Sequence, residues 1–66
     1  MLTTTASPLF VSVAPWPYGF TQQARLVDRF GAVVWRCTHR HHLIRTARAC
    51  AEAERMAWIV AGKAMA

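Results

Sequence analysis

The chain is short, basic and rich in apolar residues. Its 66 residues are 55% hydrophobic and carry eight Lys and Arg against three acids, a formal charge of +5. This composition excludes a disordered chain, which needs low hydrophobicity, and no apolar run reaches the ~18 residues of a membrane span. We therefore expect one intracellular domain over residues 1–66, with a thin margin of stability.

The first predicted elements are a flexible lead and a strand. Residues 1–7 are rich in Thr and are expected to form the flexible lead. Residues 9–13 contain Phe and Val, which favour a strand. Pro15 and Pro17 follow, and proline cannot donate to a sheet ladder. This segment is therefore expected to be extended or turning and not part of a central strand.

A β-hairpin is the clearest local prediction. Residues 23–28 and 32–37 are two strand-like runs. Between them, Asp28 suits the first position of a type I turn, and Gly31 suits the left-handed residue that closes it. The predicted register pairs Val27 with Val33, Leu26 with Val34 and Arg25 with Trp35. In this register one face carries Val27, Val33, Trp35 and Cys37, and the other carries Ala24, Leu26, Val34 and Arg36.

One long helix is predicted over residues 39–61, which contain neither Pro nor Gly. Thr38 is its expected N-cap and Gly62 its C-terminal stop. Helical spacing places an apolar stripe on one side, formed by Leu43, Ile44, Ala47, Cys50, Ala51, Ala57, Trp58 and Ala61. The predicted fold class is α+β, with a short antiparallel sheet of two or three strands (residues 9–37) packed on this C-terminal helix.

Two features of the helix need a partner. Glu54 lies within the apolar stripe, so we expect it to pair with Arg25 or Arg36, to contact a binding partner, or to reach the stripe's edge. The last turns are apolar on several sides, through Met56, Ile59 and Val60. These turns are expected to pack on the N-terminal segment or on a second copy of the chain.

A basic strip is the predicted partner-binding site. Residues 36–48 contain no acid, and arginine forks suit phosphate or carboxylate groups. The predicted contact residues are Arg36, Arg40, His41, Arg45, Arg48 and Arg55. Possible aromatic contacts are Trp16, Tyr18 and Phe30. The alternatives are a solvated face that keeps the chain in solution, and aromatic side chains that complete a small core.

No metal site, cofactor or catalytic residue is predicted. Five residues have side chains of the kinds that bind metal ions, namely Cys37, His39, His41, His42 and Cys50. A structural zinc site, however, needs four ligands that converge on one point. Cys37 and His39 span a predicted strand-to-helix junction, whereas Cys50 is expected in the core, and both thiols are expected to be reduced. No Gly-rich phosphate loop or nucleophile–base spacing is evident, which predicts a non-enzymatic protein.

The hairpin has the pattern Leu26-Val27-Asp28-x-x-Gly31-x-Val33-Val34-x-x-Cys37, and the helix that follows has the pattern Leu43-Ile44-x-x-Ala47. Over residues 24–51 this arrangement resembles small hairpin-plus-helix proteins of phages and prophages, which include anti-CRISPR-type inhibitors of host defence. The resemblance implies a phage-type protein that inhibits or adapts a host complex, one with an acidic or nucleic-acid-handling surface, in the bacterial cytoplasm. Two alternatives remain: a nucleic-acid-binding module using the same basic strip, and a structural homo-oligomer.

Overall fold

A computed structural model describes residues 7–17 and 19–66. In chain order these form β1 (Ser7–Pro8), β2 (Phe10–Pro15), β3 (Gln22–Val27), β4 (Val33–Arg36), α1 (Ile44–Val60) and β5 (Ala64–Met65). Strands β2, β3 and β4 form an antiparallel sheet in that order, and β1 pairs with β5 in parallel. The fold is α+β, with a three-stranded antiparallel sheet and one C-terminal helix, as the sequence predicts.

The two ends of the described chain meet. Of the predicted flexible lead, residues 1–6 lie outside the described residues, while Ser7 belongs to β1 and pairs with Ala64. The flexibility predicted for residues 1–7 stays a prediction. Strand β5 was not predicted, because a two-residue strand is too short to show a periodic pattern.

Strand β2 lies at an edge of the sheet, and this explains its proline. The predicted strand at residues 9–13 is observed as Phe10–Pro15, so it begins and ends slightly later. Pro15 is its last residue and lies opposite Gln22 of β3. A proline is tolerated there because an edge strand has a side that needs no ladder hydrogen bond.

The turn between β3 and β4 forms as predicted. The Asp28 carboxylate accepts hydrogen bonds from the backbone N–H groups of Phe30 and Ala32, each at 2.9 Å. Gly31 has a φ of +84° and donates its N–H to the Asp28 carbonyl at 3.0 Å. A side chain at Gly31 would be strained in this left-handed conformation, so the Asp-x-x-Gly spacing specifies the turn.

The register of the hairpin shifts between Val27 and Leu26, directly after the first pair of the two strands. Val27 lies opposite Val33 as predicted, but Leu26 pairs with Trp35 and Arg25 with Arg36. The predicted pairs Leu26–Val34 and Arg25–Trp35 were wrong because a β-bulge leaves Val34 as an extra residue in β4. Each later residue of β4 therefore faces the opposite side from the one predicted.

Helix α1 begins later than predicted. It spans Ile44–Val60 instead of residues 39–61, and its N-cap is Leu43 instead of Thr38. The reason is an antiparallel bridge in which Gln22 N–H donates to the His41 carbonyl at 2.7 Å and His41 N–H donates back at 3.1 Å. This bridge holds the chain extended through His41, so the helix forms only beyond it.

The C-terminal stop of the helix is confirmed. Gly62 has a φ of +77° and donates its N–H to the Ile59 carbonyl at 3.0 Å. Lys63 donates to the Trp58 carbonyl at 2.8 Å. These two bonds form a Schellman motif, which ends the helix and turns the chain toward β5.

The core lies between the helix and one face of the sheet, and it is small. Its buried members are Leu9, Ala24, Leu26, Cys37, Ala47, Ala51 and Ala64, with Val11, Val13, Trp35, Cys50, Trp58 and Ile59 packed against them. Within residues 7–17 and 19–66, Leu26 is the only large side chain with essentially no exposure. Of the predicted apolar stripe, Leu43, Ile44, Ala57 and Ala61 are exposed, so that part of the prediction was wrong. The alanines allow the helix to approach the sheet closely.

The predicted ion pair of Glu54 does not form. Within residues 7–17 and 19–66 the single ion pair joins Arg55 to Glu52 at 2.8 Å. Arg25 and Arg36 lie opposite one another on β3 and β4, on positions that alternate with the buried Ala24 and Leu26. Of the apolar residues in the last turns, Ile59 packs on the core, while Met56 and Val60 are exposed.

Replacing Leu26 by Ala should destabilise the domain by about 3 kcal/mol, because the cavity forms in a core that has no other large, fully buried side chain among the described residues. Urea unfolding followed by circular dichroism measures this loss. Ile44→Ala is the matched control, since Ile44 is 56% exposed, and it should change stability by less than about 0.5 kcal/mol. Equal losses in the two variants would contradict the observed core.

Candidate functional site

The basic residues of the predicted strip lie on different elements of the fold. The sheet has an inner face, carrying Ala24 and Leu26 against α1, and an outer face, carrying Arg25 on the alternate position of β3. Arg36 lies directly opposite Arg25 and so belongs to the outer face. Arg45 and Arg48 are exposed on α1, which packs against the inner face. Arg36 thus lies on a different element from Arg45 and Arg48, and their action as one binding surface stays a prediction.

Arg25 and Arg36 form a pair of like charges on adjacent strands. Directly opposite residues of an antiparallel pair have Cβ atoms about 4.5–5.5 Å apart, and like charges there are destabilising. Arg25 is half-buried and donates from Nε to Gln23 Oε1 at 2.7 Å, while Arg36 is exposed. Neither has an acidic partner among the described residues. The sequence analysis missed Arg25 as a site residue because the predicted register placed Trp35 opposite it.

An apolar row lies beside the arginine pair. Phe10 is 51% exposed and pairs with Val27, which pairs in turn with Val33. Phe10 lies two residues from Ser12, the β2 partner of Arg25, so both rows share the outer face. The outer sheet face thus presents two guanidinium groups next to an exposed aromatic ring.

The remaining predicted contacts are placed elsewhere. Arg40 stacks over the Trp16 ring, with its guanidinium carbon 4.8 Å from the ring centroid, so this face of Trp16 is covered. Arg55 donates from Nε to the Leu9 carbonyl at 3.0 Å as well as pairing with Glu52, and both bonds hold it within the fold. Phe30 is exposed at the hairpin turn beneath Arg29. Tyr18 lies outside the described residues.

Four ligand-type side chains converge at the end of the core. Cys37, His39, His41 and Cys50 each offer one sulfur or ring nitrogen, and these atoms all lie within 4.8 Å of one another. We call these four residues the Cys–His cluster. Cys50 Sγ lies 3.3 Å from His39 Nε2. The rings of His39 and His41 meet edge to face, with centroids 4.4 Å apart. Cys50 packs against the core as predicted, and it also contacts His39, which the sequence analysis did not predict.

The β-bulge and the bridge to β3 bring this cluster together. Cys37 donates its N–H to the Ala24 carbonyl at 2.9 Å, and His41 exchanges two backbone bonds with Gln22. Ala24 and Gln22 are two residues apart on β3, so their side chains lie on the same, inner face of the sheet. The side chains of their cross-strand partners, Cys37 and His41, lie on that face too. There they meet Cys50 of α1. The sequence alone gives no sign of this pairing, because His41 lies within the predicted helix.

The cluster is partly shielded from solvent. Burial lowers the pKa of His41, and the nearby His39 lowers it further. Burial also raises the pKa of the Cys50 thiol, and Cys37 and Glu54 add to this effect. Both shifts favour neutral side chains. His41 Nε2 is buried and has no hydrogen-bond partner among the described residues, which is uncommon for a buried polar atom.

No family model, curated protein or solved structure matches this chain. Among the described residues, no helix is both long and apolar enough to cross a membrane. The candidate sites therefore rest on the chain's own geometry, namely the outer sheet face and the Cys–His cluster.

Replacing Arg36 by Gln should stabilise the domain by about 0.5 kcal/mol at low salt, because it removes a like charge opposite Arg25. The gain should disappear at high salt, where the repulsion is screened. Urea unfolding at two ionic strengths measures both effects. Arg48→Gln removes the same charge from the exposed helix surface and serves as the control. A gain of equal size in both variants would mean that net charge, and not the pairing, causes it.

Proposed function

We propose that this chain is a non-enzymatic binding protein that contacts single-stranded nucleic acid through its outer sheet face. The observation that carries the proposal is the direct pairing of Arg25 with Arg36 beside the exposed Phe10. Arginines that follow a phosphate backbone, with aromatic rings on which bases stack, are the usual elements of single-strand binding.

The charge pair supports an anionic ligand. Each guanidinium group offers a planar fork of N–H donors that matches the oxygens of a phosphate. Two such groups on adjacent strands repel one another in the free protein. An anion placed between them relieves this repulsion and gains two charge-assisted contacts. Binding at this position is therefore favoured over binding at an isolated exposed arginine.

The exposed ring of Phe10 supports a nucleic acid over other anions. It lies in the row next to the arginines, so a strand whose phosphates contact Arg25 and Arg36 brings bases toward the ring. Stacking of one base on an aromatic side chain contributes about 1–3 kcal/mol and tolerates any sequence. The expected binding is thus sequence-tolerant and sensitive to salt.

The phage-type inhibitor of a host complex, which the resemblance implies, stays a prediction. An acidic protein face would meet the same arginines, and we favour nucleic acid because a base can stack on the exposed ring of Phe10. A homo-oligomer also stays a prediction, and the exposed Met56 and Val60 on α1 are its basis.

Fluorescence anisotropy with a labelled oligothymidine tests the proposal. The double variant Arg25→Gln/Arg36→Gln should weaken binding by about 10-fold or more and reduce the slope of log affinity against log salt by about 1.4, the value for two single-strand phosphate contacts. The matched control, Arg45→Gln/Arg48→Gln, removes the same charge from α1. It should weaken binding by no more than about twofold, through net charge alone.

Circular dichroism of both double variants establishes that the fold is retained. If both weaken binding equally, the outer sheet face is not the contact surface. If the unaltered protein binds the oligonucleotide without salt dependence, or not at all, nucleic acid is excluded as the partner. An acidic protein face then becomes the hypothesis to test.

A further inference from the structure

We infer that the Cys–His cluster is a binding site for Zn²⁺. Two thiols and two imidazoles are a common ligand set for structural zinc, and a tetrahedral S₂N₂ arrangement is characteristic of this ion. The inference concerns the stability of the fold. It does not rest on the proposed contact with nucleic acid.

The distances suit a tetrahedral ion. With Zn–S bonds of about 2.3 Å and Zn–N bonds of about 2.0–2.1 Å, the ligand atoms of a tetrahedron lie about 3.3–3.8 Å apart. The separation of Cys50 Sγ from His39 Nε2 is already 3.3 Å, and no pair in the cluster exceeds 4.8 Å. Closure around an ion therefore requires movements of about one ångström or less in side chains that have rotatable bonds.

The fold presents the ligands from the sheet, from the helix and from the connection between them. Cys37 and His41 are fixed on β3 by backbone bonds, while Cys50 is on the second turn of α1. His39 lies in the connection between them. A bound ion links the end of the sheet to the start of the helix, where the helix has no side-chain cap.

The surroundings of Cys37 suit a thiolate ligand. The Ala24 N–H lies 3.2 Å from Cys37 Sγ and can donate to it. A backbone donor to a metal-bound sulfur is a typical outer contact of such sites. The thiol in turn donates to the His39 carbonyl at 3.2 Å, a bond that is given up when the proton leaves.

Binding balances in charge and protons. Two Zn–S and two Zn–N bonds form, each thiol releases one proton to solvent, and the ion gives up its bound water. The two thiolates neutralise the ion, so the formal charge of +5 on the chain is unchanged. The Nε2 atom of His41 is buried and has no hydrogen-bond partner within the described residues. The bonding of this imidazole is therefore incomplete without a ligand.

The size of the core supports a structural role for the ion. In the part of the chain that the structure describes, Leu26 is the only large side chain with essentially no exposure, and most of the other residues of the core are Ala. Domains shorter than about 70–80 residues commonly need a metal or disulfides to supplement so small a core. Both cysteines are free, so a metal ion is the available means of joining the two elements.

Titration of the reduced full-length chain with Co²⁺ tests the site, because tetrahedral cobalt with thiolate ligands absorbs strongly in the visible and near ultraviolet. We expect one Co²⁺ per chain with this spectrum, and displacement by Zn²⁺. His39→Ala and Cys50→Ser should each weaken binding more than about 100-fold, since loss of even an outer-shell contact costs 10–100-fold. His42→Ala is the matched control, because His42 is exposed and outside the cluster.

Thermal unfolding gives a second readout. Zn²⁺ at a free concentration of about 100 times Kd should raise the Tm by about 10–20 °C, and EDTA should reverse the rise. His39 is exposed, so His39→Ala removes a ligand without removing core packing. This variant therefore tests whether the cluster binds the ion even if Cys50→Ser does not fold.

Two results would overturn the inference. One is a chain that is kept reduced throughout and gives no tetrahedral cobalt spectrum. The other is metal binding of equal strength in His39→Ala, His42→Ala and the unaltered protein, which would place the ion outside the cluster.

Discussion

The β-bulge between β3 and β4 decides which side chains of β4 face the helix. With Val34 as the extra residue, Trp35 lies opposite Leu26, and Cys37 bonds to Ala24. Trp35 and Cys37 therefore join the core, while Arg36 turns outward to meet Arg25. Both candidate sites follow from this one irregularity, because strict alternation beyond it assigns each residue to a face.

A second constraint is the bridge between Gln22 and His41. It extends the pairing of β3 past the end of β4 and keeps the connection to α1 close to the sheet. His41 is thereby fixed near Cys37, and the helix is delayed until Ile44. The late start brings Cys50 to the second turn, within reach of the histidines. One pair of backbone hydrogen bonds thus affects both where α1 begins and which side chains meet in the Cys–His cluster.

The two candidate sites assign stabilisation of the fold to the inner face of the sheet and binding to its outer face. The inner face carries a core made largely of alanines, and the Cys–His cluster closes its end. The outer face carries Arg25 and Arg36, whose mutual repulsion lowers the stability of the free protein. A domain with so small a core can tolerate this cost more easily if the inner face is stabilised by a bound ion. On this view, the metal site and the arginine pair have complementary roles.

The sequence alone determined the elements whose signals are local. The Asp28–Gly31 turn, the C-terminal stop at Gly62, and the α+β class follow from turn chemistry and periodicity. The tertiary structure alone decided the register beyond Val27, the start of α1 and the grouping of the cysteines with His39 and His41. A bulge and an isolated bridge depend on pairing between distant segments, which leaves no periodic trace in the chain. One residue of register then determines whether an arginine or a cysteine faces the core.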